Sequence, residues 1–194
     1  MNEKEIRTVS QSVEVRSDDK KNMTIKGYAL KFDTWSHDLG GFKETVSREA
    51  LKDTPLNDVR ALFNHDPQKV LGRTKNESLS LVVDSVGLRF ECTLSNTTYA
   101  RDLYENLKVG NIDKCSYGFR IAPNGDEVRF DKEDNIYKRT VKNIERLSEI
   151  SIVAFPAYED TAVSVRSVEQ AKEENENEIE LLKTELEINQ AIYE

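Results

Sequence analysis

Cysteine, histidine and proline are scarce in this chain, and basic residues are outnumbered. The 194 residues include two cysteines, two histidines, four prolines and one tryptophan. Cys92 and Cys115 both fall at inward positions of strand-like runs, so the pattern predicts buried free thiols and not a disulfide framework. Two histidines and two cysteines, none closely spaced, make no zinc signature, and neither a glycine-rich phosphate loop nor a G-x-S-x-G elbow occurs. No cofactor or metal is therefore expected. No apolar run is long enough to span a bilayer, and the N-terminus lacks the charged-then-apolar order of a signal peptide. A reducing cytoplasm, without membrane attachment, is the expectation. Lys and Arg number 28 against 36 Asp and Glu, a net charge of −8, which excludes the basic footprint of a nucleic-acid binder.

The charge is unevenly spread. Residues 167–194 hold nine Glu and two Lys, −7 of the total −8, with no Gly or Pro. In this stretch Ile179, Leu182, Leu186 and Tyr193 form one stripe at helical spacing, as in a solvated acidic helix that packs on a partner, on a second copy, or on nothing. The rest is nearly neutral and long enough for one core, but short for two full domains. The expected division is a flexible segment or edge strand over 1–20, a main domain over 21–166, and an acidic helical tail over 167–194.

Within the main domain the hydrophobic period is mostly two. A strand is expected from Met23 to Phe32 and another through Val59, Ala61 and Phe63, ending near His65. Leu79, Leu81 and Val83 alternate, Asp84-Ser85-Val86-Gly87 turns, and Leu88, Phe90, Cys92 and Leu94 alternate in reply, a strong hairpin signal. Ala100, Leu103, Tyr104 and Leu107 switch to helical spacing over 97–109, and Gly110 supplies a stop. Further strands are expected over 112–122, 127–131, 135–141 and 144–154, the last ended by Pro156. Ser47 is placed to cap a short helix to about Asp53. Seven or eight short strands with one or two helices imply a mainly β, α+β architecture, either a small barrel or a sandwich.

One strand carries chemistry. Across Lys114-Cys115-Ser116-Tyr117-Gly118-Phe119, the residues Cys115, Tyr117, Phe119 and Ile121 share the apolar side, leaving Ser116, Gly118 and Arg120 on the other. A serine nucleophile needs an imidazole to take its proton and a third group to orient that imidazole. His65, in Phe63-Asn64-His65-Asp66-Pro67, can serve as the base. Glu149, on the polar side of Leu147-Ser148-Glu149-Ile150-Ser151-Ile152-Val153, can hold it. Plainer readings exist: His65 as a turn residue, and Glu149 as a surface charge paired with a strand neighbour. Cys115 as nucleophile is disfavoured by its inward parity.

Taken in order, these residues resemble a known family. Gly27-Tyr28-Ala29, Gly41-Phe42-Lys43-Glu44, Phe63-Asn64-His65-Asp66, Val70-Leu71-Gly72-Arg73-Thr74, Gly87-Leu88-Arg89-Phe90, Ser116-Tyr117-Gly118-Phe119, Glu149-Ile150-Ser151-Ile152-Val153 and Pro156-Ala157-Tyr158 are similar in type and spacing to the prohead (capsid maturation) proteases of tailed bacteriophages, which are related in fold to herpesvirus assemblin. The resemblance implies a serine endopeptidase on a small closed β-barrel with flanking helices. It places the nucleophile at Ser116 and the general base at His65. The third member falls on Glu149, or on His37 if the second histidine of the assemblin relatives is followed. Oxyanion donors are unassigned, with Arg139 and Arg146 as guesses. The implied work is cleavage of the scaffold, or of the scaffolding segment of the major capsid protein, and of the protease itself. It would occur inside the immature prohead in the host cytoplasm, with a homo-oligomer possible. A scaffold or capsid-assembly protein that keeps the fold without catalysis is the alternative.

Overall fold

A computed structural model of the chain describes residues 4–9, 13–15, 22–155 and 166–192. Outside them lie Pro156, the Pro156-Ala157-Tyr158 motif, the boundary expected near residue 20, and Tyr193 of the C-terminal stripe. The strands are β1 (Glu5–Val9), β2 (Glu14–Val15), β3 (Thr24–Lys31), β4 (Phe42–Val46), β5 (Arg60–Phe63), β6 (Asp66–Arg73), β7 (Leu79–Val83), β8 (Gly87–Thr93), β9 (Lys114–Ile121), β10 (Asp126–Asp131), β11 (Ile136–Val141) and β12 (Ile144–Val153). The helices are α1 (Thr98–Lys108) and α2 (Arg166–Ile192).

The strands form three sheets, ordered β1-β9-β12-β5-β6, β10-β11-β4 and β2-β3-β8-β7. β12 with β5, and β11 with β4, pair in parallel, whereas every other pairing is antiparallel. One core joins the apolar faces of the five- and four-stranded sheets to α1. Phe119, Ile150 and Ile152 share it with Ile25, Leu88, Phe90 and Leu103. A satellite cluster of Leu39, Phe42 and Val168 fastens the start of α2 to β4 and the loop before it.

The closed barrel expected from the resemblance is not formed. The three ladders stay separate, and closure would need a continuous hydrogen-bonded stagger around the whole ring. Where β6 and β8 meet they pack face against face: a Cβ at Gly72 would lie 2.5 Å from Cys92 Sγ. A single backbone bond, Ser95 N–H to Leu71 O at 3.3 Å, spans that junction among the described residues. A strand count cannot separate one closed ladder from packed open sheets.

Two local expectations also change. Residues 47–53 make successive tight turns, with Ala50 N–H bonding Ser47 O and Lys52 N–H bonding Glu49 O. A helix is pre-empted there because Ala50 O accepts from Ile144 N–H at 2.8 Å. The strand before His65 does not simply stop: the chain reverses and returns as β6. Pro67 is tolerated because β6 is an edge strand.

Candidate active site

The three residues singled out in the sequence lie on one sheet. Ser116 is on β9 and Glu149 on the adjacent β12, where the registers Ser116↔Ser151 and Gly118↔Glu149 put all four positions on the same face. His65 arrives from the neighbouring β5 through a two-residue turn closed by the pair Phe63↔Asp66. Both turn residues are left-handed, Asn64 at φ 50° and His65 at φ 58°, the geometry of a type I′ hairpin. Asparagine adopts it readily; histidine does so at some cost. The turn is tied to the end of β12, where Asn64 N–H donates to Ile152 O at 2.9 Å and Ala154 N–H donates to Asn64 Oδ1 at 3.0 Å. His65 is thereby aimed back along β12.

The imidazole meets Glu149, with Nδ1 lying 2.8 Å from Oε1. Ser151 Oγ donates to Glu149 Oε2 at 2.5 Å, and Lys4 Nζ donates to Oε1 at 3.1 Å. Burial works to raise the Glu149 carboxyl, but the bonds from His65 and Ser151 and the nearby charges outweigh it and hold the group below its ordinary value. An ionised carboxylate only accepts, so Nδ1 carries the hydrogen, and in the neutral imidazole Nε2 presents a lone pair. Nε2 is buried and has no hydrogen-bond partner among the described residues.

Ser116 is not bonded to His65. Its side chain is sealed, at 0 % exposure, and Oγ donates to Arg7 O of β1 at 2.9 Å. Periodicity puts Ser116 opposite the apolar side but cannot show that β1 pairs beside it, Thr8↔Ser116. Gly118 makes room for the carboxylate: a Cβ there would sit 2.7 Å from Glu149 Oε1 and 2.4 Å from Lys4 Cε. Cys115 is buried on the opposite parity, and burial together with the Glu149 charge pushes its thiol up to about 12.

The other nominated residues lie elsewhere or play other parts. His37 is exposed in the β3–β4 loop. Arg139 is buried in an ion cluster, with Nη1 2.6 Å from Glu44 Oε2 and 2.6 Å from Glu5 Oε2, and Nε 2.7 Å from Asp126 Oδ2. Burial favours loss of its proton, yet these acids more than compensate and raise its pKa. Arg146 is on the Ser116 face, paired in register with Arg120. Ser151 and Lys4, which complete the shell of Glu149, were not anticipated. Parity marks Ser151, whereas nothing local marks Lys4. Among the described residues no group of three His, Cys, Asp or Glu could hold a metal ion, and no helix is long and apolar enough to cross a membrane. A shallow cleft of about 550 Å³ beside Trp35, Phe130 and Lys138 lies on the β10–β11 hairpin, away from Ser116.

Comparison with known proteins places this face in context. The model of the caudovirus prohead serine protease family matches residues 11–175. The chain belongs to that family. No curated protein sequence matches it. Among solved structures it is similar to the capsid assembly protease gp21 of bacteriophage T4, with 13% identity, a TM-score of 0.51, and coverage of 77% of this chain and 96% of that one. At that identity the likeness is one of fold. As a caudovirus prohead serine protease by family, the chain has a serine and a histidine–carboxylate pair on one sheet face to account for.

Proposed function

We propose that the chain is the serine endopeptidase of capsid maturation, cutting the scaffold, or the scaffolding segment of the major capsid protein, and itself inside the immature prohead. In this reading Ser116 is the nucleophile, His65 the general base and Glu149 the residue that orients it. The observation that carries it is the His65–Glu149 contact at 2.8 Å with Nε2 left unpartnered, on the face that bears Ser116. In the reaction, Oγ forms a bond to the scissile carbonyl carbon as His65 Nε2 takes the hydroxyl proton. The imidazolium, stabilised by Glu149, then gives that proton to the leaving amine as the C–N bond breaks. Water, deprotonated by the same imidazole, hydrolyses the acyl-enzyme and restores the serine. Before any of this, the Ser116 hydroxyl must exchange Arg7 O for Nε2. Residues 21–166 would form the catalytic unit, and 167–194 an acidic appendage that binds scaffold-like helices or is removed by self-cleavage.

A non-catalytic scaffold protein is the second reading, favoured by the sealed Ser116 hydroxyl. Co-expression with the cognate major capsid protein separates the two. Wild type is expected to process the capsid protein and itself, and Ser116→Ala to process neither, as read from fragment masses. Processing unchanged in the variant moves the chemistry to another residue, while processing by neither form favours the scaffold.

A further inference from the structure

The face that bears Ser116 and Gly118 continues to Arg120, whose register partner on β12 is Arg146. The register of β12 slips between Ile144 and Arg146 and again between Leu147 and Glu149. The second slip is why Arg146 and Glu149, three residues apart, both fall on this face, where strict alternation would separate them. Two guanidinium groups thus stand across one strand pair, where like charges repel. Among the described residues, Arg120 Nε is buried without a hydrogen-bond partner and no carboxylate pairs with either arginine. Glu149, the acid on this face, is already engaged by His65, Ser151 and Lys4. Elsewhere Arg7, Arg48, Arg73 and Arg139 each contact a carboxylate. Among the described residues Arg101 bonds only Asn96, so a lone arginine is not unusual here; what sets Arg120 and Arg146 apart is that two stand directly across one strand pair, one with a buried Nε.

A carboxylate from outside would complete the arrangement, since guanidinium groups bind carboxylates in a fixed planar fork. We propose that Arg120 and Arg146 form a subsite for an acidic side chain, Glu or Asp, of the peptide substrate. The proposal rests on the reading of Ser116 as nucleophile. Arg120 lies four residues along β9 from Ser116, about 13 Å at strand spacing, so the recognised acid sits three or four positions from the scissile bond and touches no reacting atom. The pair acts on substrate affinity and leaves the chemical step alone.

Fluorogenic peptides that are neutral except for one scanned position, Glu or Gln, test this. Glu at a position three or four residues from the cut is expected to lower KM roughly tenfold against Gln, with kcat unchanged. The preference, read as the ratio of KM for the Gln and Glu peptides within each variant, should vanish in Arg120→Gln, in Arg146→Gln and in the double variant. Absence of a Glu preference in wild type, or its survival in the double variant, overturns the subsite but leaves the protease intact. Absence of Ser116-dependent cleavage of any peptide overturns the protease reading instead. An activity-free arm uses Ser116→Ala and thermal unfolding. Hexaglutamate is expected to raise the melting midpoint, hexaglutamine not, and the effect should be lost when both arginines are replaced. A single-stranded oligonucleotide that stabilises more than hexaglutamate would reassign the pair to phosphate and overturn the proposal, as would no shift with either.

Discussion

At the scale of single residues the candidate site is tightly determined. A methyl group on Gly118 meets the end of Lys4, which can swing away, and a Glu149 oxygen pinned by His65, which cannot move without breaking that contact. Gly118→Ala is expected to lower activity tenfold or more while costing only about 1–3 kcal/mol of stability, a contrast that parallel turnover and urea-unfolding measurements check. Glu149 has a pH signature of its own. Its folded pKa is depressed below 4.5, so its contribution is present above the unfolded value and is lost as pH falls through the folded one. Glu149→Gln should therefore be less stable than wild type near pH 7, by about 1–3 kcal/mol, and converge with it in acid. A gap that stays the same size as pH falls from 7 into the acid range would count against this. Much of this was legible in the sequence, because strand parity separates Ser116, Glu149 and Ser151 from their apolar neighbours and turns Cys115 inward. The left-handed backbone at His65 and the Lys4 contact were not, since neither leaves a local pattern.

Single elements show where local reading fails and long-range pairing decides. The β7–β8 hairpin, α1 and β9 lie close to where hydrophobic period puts them. β6 was missed because Pro67 reads as a stop, and residues 47–53 because a hydrogen bond from Ile144 replaces a helical one. β1 is the element with most at stake. Apart from its ladder to β9, it is held by Arg7, whose Nε lies 2.7 Å from Glu44 Oε1, and by Glu5, which meets Arg139. Glu44 is 4 % exposed and lies between two arginines. Removing one member of such a cluster strands its partners, so Glu44→Ala is expected to cost about 3–5 kcal/mol, measured by urea denaturation. A loss under 1 kcal/mol would show that the cluster contributes little.

For the molecule as a whole, α2 divides in two. Its first turns are docked: Val168 is buried with Leu39 and Phe42, Ser167 Oγ donates to Asp126 Oδ2 at 2.6 Å, and Asn175 Nδ2 donates to Tyr137 Oη at 3.2 Å. From Glu176 to Thr184 the helix is exposed, Ile179, Leu181 and Leu182 included, and the family match ends at residue 175. Removing residues 176–194 should leave the melting midpoint almost unchanged, whereas Val168→Asp should cost about 2 kcal/mol or more. Equal effects would refute the division. The acidic helix itself was plain from composition, but its docked start was not, because Val168 is the one buried apolar side chain among its described residues and leaves no stripe. The two parallel strand pairs add a constraint of timing. His65 and Glu149 are 84 residues apart, and Glu44 and Arg139 are 95 apart. At roughly 5–20 residues per second, a ribosome needs on the order of 4–17 s to travel from the histidine codon to the glutamate codon. Through that interval β5 has no β12 to pair with, and the imidazole has no carboxylate. A nascent chain thus carries an unassembled His65–Glu149 pair until β12 has been made.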